Sequence, residues 1–441
     1  MRTTNLLVAA VAVFAVADLA PASDQMPASP QTGPIALRGA TIHPVSSAPI
    51  TDATIVFDQG RITALGPSVD VPGDAEVIDV RGKHIYPGMI NAYTSIGLTE
   101  VSSVRGTRDS RETGRINPNV RAEVSVNPAS EIIPVTRANG IALALTVPSG
   151  GTISGRSALL RLDGWTWEDM VLAAPVGMHV QWPRMTAYQS RYRPTSEEDQ
   201  KKERREALAA LSDAFDDARA YRTARVDDEF AERHPTDLRW EAMKPVFDGT
   251  LPVVVTANNI LQIQAALTWA EREDVRLIIV GGADAWMVTQ ELKERDVAVI
   301  VTGTHRLPSR RWEDYDTPFT LPAKLYDAGV KFCISSTSSW GGGAQASNTR
   351  NMPYDAATAA AYGLPADEAL KAVTLYPARI LGVDDRVGSL EVGKDATLIV
   401  TDGDPLETPT LVSQMYIEGR KIDLTSRHTM LYDKYRTKYG Q

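Results

Sequence analysis

The chain has 441 residues, which is enough for a full α/β barrel together with an additional module. Its hydrophobic content of 43% and charged content of 23% are ordinary for a globular protein. The formal net charge of −9 argues against nucleic acid or anionic lipid as a partner, because both bind cationic surfaces. The single cysteine, Cys333, excludes an intrachain disulfide and lies in the apolar run GVKFCIS, where a core position is expected.

The first residues are typical of a secretory signal peptide. Arg2 precedes an apolar run from Leu6 to Ala17, and Ala20-Pro21-Ala22 gives a small-x-small cleavage pattern. The run is too short to span a bilayer comfortably, which favours a removable signal over residues 1–22 rather than a membrane anchor. Residues 23–34 are expected to form a flexible leader. The sequence therefore predicts a periplasmic or secreted protein.

Both ends of the remaining sequence are rich in short β-like runs. Residues 35–86 include IALRGATIHPV, ATIVFDQGRITALG and AEVIDVRGKHIY. Residues 387–422 include VGSLEVGKDATLIVTDGDP and SQMYIEGRKI. Because these ends enclose a different middle, we predict one β domain built from both termini, comprising 30–88 and 384–425. A C-terminal tail follows at 426–441.

The middle of the chain alternates apolar β-like runs with helical patterns. IALALTV, PVVVTAN, RLIIVGG, VAVIVTG and VKFCISS lack polar alternation, as expected for parallel strands buried on both faces. Helical patterns such as NILQIQAALTWAERE and AWMVTQELKERD lie between them. Because no phosphate-binding glycine fingerprint follows the first strand, we favour a barrel over an open doubly wound sheet. The predicted fold is an α/β barrel of parallel strands over residues 89–383.

A polar segment over residues 102–126, the arginine loop, interrupts this pattern after the first strand. Loops that follow barrel strands emerge at the carboxyl-terminal mouth, so this loop is expected near the mouth. Its cations suit an anionic ligand or partner, and solvated surface charge is the alternative interpretation. The arginines are Arg105, Arg108, Arg111, Arg115 and Arg121.

A second interruption, over residues 195–245, contains a highly charged helix from about Ser196 to Val226. Its apolar stripe has helical spacing. We expect the stripe to dock on the barrel wall, with binding of a partner as the alternative. The stripe consists of Leu208, Leu211, Phe215 and Ala218.

Three stretches carry a resemblance to a known family: GKHIYPGMINAYTS, GGTISGRSALLRLDGWTWEDM and DEALKAVTLYPARILGVDDRVGSLEVGKDATLIV. Together they resemble the amidohydrolase superfamily, and most of all its imidazolonepropionase-like branch, over nearly the whole mature chain. The resemblance implies a (β/α)8 TIM-type barrel flanked by a composite β-sandwich. It also implies hydrolysis of carbon–nitrogen bonds other than peptide bonds by a divalent metal, normally zinc, that activates water.

The resemblance further implies metal-binding positions, and in this sequence they hold neutral residues. A histidine pair two residues apart on the first strand would face one metal. Asn91 stands where an aspartate precedes that pair, and the fourth-strand position has no clear match. Hydroxyl groups are poor zinc ligands beside imidazole or carboxylate. The matched positions are Tyr93 and Ser95 on the first strand, Thr256 on the fifth, Gly281 or Gly282 on the sixth, and Thr337 on the eighth.

Among the six histidines, His179 in GMHVQW and His305 after VAVIVTGT are expected to reach the barrel mouth. A structural hydrogen-bonded role is one interpretation, and an improvised metal site with Asp284 is the other. We predict no metal, no cofactor and no identifiable catalytic residue. The predicted pocket contains Tyr93, Ser95, Thr256, Gly282 and Thr337, with Asn91, His179 and His305 as further polar groups.

Two functions fit these observations. The first is an exported amidohydrolase-like protein that has lost its metal site and acts as a binding or scaffolding subunit. Its partners would be an anionic small molecule and a metal-competent homologous subunit or a second copy of the chain. The second is an active hydrolase of cyclic amide-like carbon–nitrogen bonds that uses an unusual site. Since fold alone does not fix function, the metal content of the purified protein is the observation that separates them.

Overall fold

The computed structural model describes residues 26–188, 195–225, 235–336 and 345–440. The predicted signal peptide and the predicted pocket residue Thr337 therefore lie outside the described residues. The described chain forms two eight-stranded sheets with helices packed around one of them.

In chain order the strands are β1 (Ile35–Ile42), β2 (Ile50–Asp58), β3 (Arg61–Gly66), β4 (Glu76–Asp79), β5 (His84–Pro87), β6 (Met89–Thr94), β7 (Ile141–Thr146), β8 (Ile153–Arg161), β9 (Val171–Gln181), β10 (Val253–Ala257), β11 (Leu277–Gly281), β12 (Ala298–Thr302), β13 (Phe332–Ser335), β14 (Leu398–Thr401), β15 (Val412–Ile417) and β16 (Arg420–Ile422). The helices are α1 (Ile132–Arg137), α2 (Trp167–Met170), α3 (Glu197–Ala224), α4 (Leu238–Glu241), α5 (Lys244–Phe247), α6 (Ile260–Glu273), α7 (Thr289–Glu294), α8 (Thr317–Ala328), α9 (Met352–Ala361), α10 (Ala366–Lys371), α11 (Leu375–Leu381) and α12 (Arg427–Tyr439).

The terminal sheet combines strands from both ends of the chain in the order β16-β15-β14-β5-β1-β2-β3, with β4 paired to β1. β14 pairs antiparallel with β5, which places C-terminal residues next to N-terminal ones. Its inward residues form a cluster separate from the barrel core, and Phe57 and Tyr416 meet in it with ring centroids 5.0 Å apart. The two ends of the sequence therefore close one hydrophobic core.

The second sheet has the order β13-β12-β11-β10-β9-β8-β7-β6 and forms a nearly closed barrel. The expectation that all eight strands run parallel is wrong for β8, which runs antiparallel to both β7 and β9. Residues 147–152 and 162–170 are the connections on either side of β8. Parallel neighbours need a crossover of a dozen or more residues, so connections this short dictate hairpin-like pairing.

The seam between β6 and β13 is bridged by a third segment. Ile90 N donates to Val373 O and Ile334 N donates to Ala372 O, both at 2.9 Å. Residues 372–373 thus satisfy backbone groups of both edge strands. This bridge places the carboxyl ends of β6 and β13 side by side, where the candidate site lies.

The charged helix predicted in the insertion is α3, and its apolar stripe packs against the barrel's outer helices. Leu211, Phe215 and Ala218 are buried. The Phe215 ring lies 4.9 Å from that of Trp269 on α6 and 5.7 Å from that of Phe247, in edge-on contacts. The stripe therefore serves docking within the chain.

Both predicted tails have structure in their described parts. In the leader, Ala28 N donates to a carboxylate oxygen of Asp163 at 3.3 Å, and Gln31 bonds to Phe57 O and to Gly60 N. Beyond residue 425 the chain forms α12, which starts at a capping box on Ser426. In the described residues no helix has the length and apolarity needed to cross a membrane.

A buried ion-pair cluster joins the barrel to the terminal sheet. Asp163, only 1% exposed, accepts from Arg137 of α1 at 2.9 Å and pairs with Arg420 of β16 at 3.0 Å. Arg137 also donates to Leu162 O. Since both charges of the Arg137 pair are desolvated, removal of Asp163 would leave the buried guanidinium of Arg137 without this carboxylate, which is costly.

Candidate functional site

The carboxyl ends of four barrel strands bring together the mouth network, which we define as Asn91, Tyr93, Gln181, Thr256, Ser335 and Ser336. Side chains alternate along a strand, so Asn91 and Tyr93 share one face of β6. The parallel register of β9 and β10 sets Gln181 directly beside Thr256. In barrels of this type the carboxyl-terminal face carries the active site.

The phenol of Tyr93 lies at the centre of one half of this network. Its Oη is 3.5 Å from Thr256 Oγ1, and Gln181 Nε2 donates to the same Thr256 oxygen at 3.4 Å. Burial raises the pKa of Tyr93, while its hydrogen bonds to Thr256 and Gln181 lower it by a smaller amount. The phenol is therefore neutral at physiological pH and offers no phenolate to a cation.

Asn91 organises the other half of the network. Its Oδ1 accepts from Ser335 Oγ at 2.7 Å and from Tyr93 N at 3.1 Å, and its Nδ2 donates to Ser336 Oγ at 3.0 Å. Ser335 Oγ also reaches Tyr93 O at 3.0 Å. The amide is fully buried, and its hydrogen bonds to Ser335 and Ser336 tie β6 to the end of β13 across the seam. Where the resemblance implies an aspartate, this chain has a neutral side chain that both donates and accepts.

His179 precedes Gln181 by two residues on β9 and lies inside the barrel. Its ring centroid is 6.2 Å from that of Tyr93, and it is 1% exposed. Its Nε2 has no hydrogen-bond partner within the described residues. Burial lowers the pKa of His179 to about 3, so the imidazole is neutral over the physiological range.

The remaining predicted site residues lie in different environments. Ser95 is buried just beyond the end of β6. Gly282 has a φ of +62°, and a β-carbon there would meet Val299 Cγ1 at 2.6 Å, so this position serves the backbone turn. His305 is exposed, and its Nε2 lies 2.6 Å from Thr358 Oγ1 on α9 rather than near Tyr93.

Asp284 is committed to structure and does not form a metal site with His179 or His305. Asp284 is 2% exposed, and its carboxylate forms a bidentate ion pair with Arg310. Arg310 Nη1 donates to Asp284 Oδ1 at 2.8 Å. It also accepts from Ile260 N at 2.8 Å at the start of α6. These contacts stabilise the loop after β11.

Sequence reasoning missed three residues of this network, Gln181, Ser335 and Ser336. Gln181 lies on the fourth strand of the barrel, where the sequence contained no clear match. It follows His179 by two residues at the carboxyl end of β9. The signal was present, because a strand period of two places Gln181 on the same face as His179. The sequence alone did not fix the register of this strand, so Gln181 was not identified as a site residue.

The arginine loop lies beside the carboxyl end of β7. Ser149 N donates to Ser110 O and Thr152 N donates to Arg115 O, both at 2.7 Å. The loop therefore follows the segment between β7 and β8, at the mouth end of the barrel. All five arginines are exposed, and Arg121 pairs with Glu123 at 2.7 Å.

The side chains of the mouth network do not fit a divalent metal. They present a protonated phenol, hydroxyls and amides, whereas a catalytic zinc site uses about three imidazole, thiolate or carboxylate ligands. Their oxygens and nitrogens are also already engaged with one another. In the parts of the chain that the structure describes, no three histidine, cysteine, aspartate or glutamate side chains are grouped to hold a metal ion.

A cleft of about 1,040 Å³ lies at the opposite end of the barrel, where strands β10 to β13 begin. Two ion pairs lie on its wall, Arg295 with Glu271 and Lys331 with Asp296, the latter at 2.6 Å. Because function in such barrels is carried by the carboxyl-terminal face, we assign the site to the mouth network rather than to this cleft.

Comparison with solved structures supports the fold described above. An amidohydrolase from Thermotoga maritima MSB8 superposes with a TM-score of 0.76 at 25% identity, covering 88% of this chain and 99% of that one. An adenosine deaminase from Xanthomonas campestris with bound zinc superposes at 0.52 with 16% identity, covering 92% and 98%. A Xaa-Pro dipeptidase with bound methionine gives 0.55 at 14% identity, covering 88% and 100%. At these lower identities the likeness shows the fold alone.

Sequence comparison gives the family. Amidohydrolase tasK of Hapsidospora irregularis is 24% identical over 397 residues, covering 83% of this chain. The chain spans about two fifths of that curated relative, 39% of its length. The model of the amidohydrolase family matches residues 167–419, more than half of the 441 residues. This chain therefore belongs to the amidohydrolase family.

Proposed function

We propose that this chain is a metal-independent binding subunit built on the amidohydrolase fold, which has lost the superfamily's metal site. The mouth network carries the proposal. Its neutral side chains stand at the positions where the resemblance implies ligands, and they bond to one another, as Tyr93, Gln181 and Thr256 do. Such groups recognise a ligand by hydrogen bonds, whereas neutral hydroxyls coordinate a cation weakly.

The ligand we propose is a small anion or an acidic partner segment. The arginine loop supplies exposed cations at the mouth end of the barrel, on a chain whose net charge is −9. A local concentration of cations on an acidic protein steers anions to that point. The mouth network would then contribute neutral donors deeper in the barrel.

An alternative is hydrolysis of cyclic amide-like carbon–nitrogen bonds through an unusual site. The observation that favours it is the Nε2 of His179, which lies beside the Tyr93 ring and has no hydrogen-bond partner among the residues that the structure describes. A general base works best with a pKa near the working pH, and burial lowers that of His179 to about 3. The imidazole is thus a weak proton acceptor, and we prefer the binding role.

We also propose that the protein is exported, matures near Ser23 and acts in the periplasm or outside the cell. The apolar run and cleavage pattern of residues 1–22 support this.

The finer assignments, to the imidazolonepropionase-like branch and to a composite β-sandwich domain over 30–88 and 384–425, rest on the quoted motifs and on the terminal sheet. A metal-competent homologous subunit or a second copy is the proposed protein partner.

Mass analysis of exported protein tests the proposed maturation site near Ser23, and retention of Met1 would contradict it.

The lost metal site is tested by hydrolysis assays on cyclic amides and dipeptides, with and without a chelator. We expect no chelator-sensitive turnover from the purified chain. Metal activation supplies several powers of ten in rate, so its contribution would be easy to detect. Turnover that a chelator abolishes would contradict the proposal. Turnover that survives the chelator but is lost in His179→Ala would favour the alternative.

The anionic ligand is tested separately with phosphate and a short dicarboxylate as probes. Replacing Arg105, Arg108 and Arg111 together by glutamine should weaken binding measured by calorimetry. A matched control removes the exposed cations Arg276, Arg295 and Lys331, which line the cleft at the opposite end of the barrel. It changes the net charge by the same amount away from the mouth. Equal weakening by both variants would indicate a general charge effect and contradict a site at the mouth.

A further inference from the structure

A second loop at the mouth end of the barrel presents large apolar side chains to solvent. It spans residues 303–316 after β12, and we call it the apolar loop. Leu307 is 77% exposed, Trp312 64% and Tyr315 71%. Large apolar side chains that cluster on a surface among polar residues mark sites of contact with other proteins. A small anion would gain nothing from such a surface.

Ion pairs with two buried carboxylates hold the apolar loop in place. Arg310 pairs with Asp284 of the loop after β11, and with Glu313 of its own loop at 2.6 Å. Glu313 also accepts from Ser309 N at 2.7 Å. The guanidinium of Arg310 lies 5.4 Å from the centre of the Trp312 ring. A loop whose shape is fixed before binding loses little conformational entropy when a partner docks on it.

The arginine loop supplies cations on the other side of the seam between β6 and β13. Arg108 forms a β-bridge with Thr99, just beyond the end of β6, and Arg105 donates to Arg108 O at 3.2 Å. The loop has five arginines against three carboxylates. Among the described residues, only Arg121 of this loop pairs with a carboxylate. The guanidinium groups of the other arginines are therefore available to the carboxylates of a partner.

The two loops start close together at the mouth of the barrel. Thr302 at the end of β12 is paired with Ser335 of β13, and Ser335 donates to Asn91 of β6 across the seam. Neighbouring strands are about 4.8 Å apart, so the ends of β12 and β6 are separated by roughly 10 Å. An extended polypeptide advances about 3.3 Å per residue, and about six residues therefore span roughly 20 Å. A segment of that length is long enough to contact both loops.

We propose that the arginine loop and the apolar loop together bind an extended acidic segment of a partner protein. Carboxylates of the segment pair with Arg105 and Arg108, and apolar side chains of the same segment pack on Leu307 and Trp312. A polypeptide carries both kinds of group, whereas phosphate or a short dicarboxylate engages only the arginine loop. Arginine, tryptophan and tyrosine are the residues enriched in protein interfaces. Such binding rests on the proposed function, of which it specifies the ligand as a polypeptide.

The two-loop site is tested by calorimetry on the full-length chain. The probe is a capped hexapeptide of three glutamates, one glycine and two leucines, made with the acidic and apolar blocks in either order. One order should bind at least about 10-fold more tightly than capped peptides in which glycine replaces either block. Replacing Arg105 and Arg108 by glutamine, or Leu307 and Trp312 by serine, should in each case weaken binding at least about 10-fold.

Matched variants make the same chemical changes away from the mouth. Arg276→Gln with Lys331→Gln alters the cleft at the opposite end of the barrel. Tyr326→Ser with Leu411→Ser removes exposed apolar side chains of that cleft and of the segment before β15. Both controls should bind the peptide as the wild type does, and weakening equal to that of the matched test variant would overturn the site. The substituted side chains are exposed, so the folds should persist, and thermal melting verifies this.

The possible outcomes separate the polypeptide ligand from the proposed function. If phosphate or the dicarboxylate binds at the arginine loop and neither peptide order binds more tightly, the polypeptide ligand is overturned and the proposed function stands. If neither the peptides nor the small anions bind, both are overturned. Peptide binding that Leu307→Ser with Trp312→Ser leaves unchanged would overturn the role of the apolar loop and with it the two-loop site.

Discussion

The barrel interior and the terminal sheet each contain a histidine whose pKa is lowered mainly by burial, but only the histidine of the sheet faces a second imidazole. His179 in the barrel is fully buried, its Nε2 has no hydrogen-bond partner in the described part of the chain, and desolvation alone lowers its pKa. His43 in the sheet is half-buried and its pKa is lowered by burial and by His84, with Asp404 acting in the opposite sense. The first is an imidazole kept neutral by complete burial, and the second is an imidazole kept neutral by partial burial beside another imidazole. A lowered histidine pKa therefore does not by itself mark a functional site.

The largest effect is expected at the ion-pair cluster that joins these two regions. Asp163→Ala leaves the buried guanidinium of Arg137 without its carboxylate. We expect the free energy of unfolding to fall by about 3–5 kcal/mol in denaturant titrations. Asp79→Ala, which breaks the exposed pair with Arg81, is the matched control and should leave stability essentially unchanged. A small effect of Asp163→Ala would show that the two regions are joined by packing rather than by this cluster.

The next effect is the pH dependence that His179 imposes on the barrel. Its pKa is about 3 in the folded chain and near 6.5 when unfolded, so the unfolded state binds more protons between these values. Its contribution is complete above pH 6.5 and is lost as the pH falls toward 3, by about 1.4 kcal/mol per pH unit within that window. His179→Leu should flatten this part of the stability curve. Parallel curves for wild type and variant would contradict a buried neutral imidazole.

The mouth network should show a smaller and graded effect. Asn91→Leu removes partners of the Ser335 and Ser336 hydroxyls and of Tyr93 N, and should lower the free energy of unfolding by about 1–3 kcal/mol. Tyr93→Phe removes a long contact of 3.5 Å to Thr256 and the hydrogen bond to Gln181, and should cost about 1 kcal/mol or less. A larger loss of stability in Tyr93→Phe than in Asn91→Leu would contradict this prediction. It would show that the phenol of Tyr93 contributes more to the network's stability than the Asn91 amide at the seam.

Much of this architecture follows from the sequence because its signals are local. Continuous apolar runs predicted the barrel strands, and β-rich ends predicted strands from both termini in one sheet. Strand ends predicted that Tyr93 and Thr256 would approach each other, and they do. Helical spacing likewise predicted the docking of α3.

What the sequence did not reveal depends on pairing between distant segments. The antiparallel direction of β8 depends on two short connections, whose length becomes meaningful only once the strand ends are known. The facing of His43 and His84 depends on the register between β1 and β5, which no local pattern fixes. His305 follows a strand end as predicted, yet it turns toward Thr358 because a helix offers it a partner there.

The most direct test of the central claim is the zinc content of the purified wild-type chain, expressed with added zinc and then dialysed. We predict no zinc above the buffer blank. Near-stoichiometric zinc would contradict the claim that the barrel mouth has lost its metal.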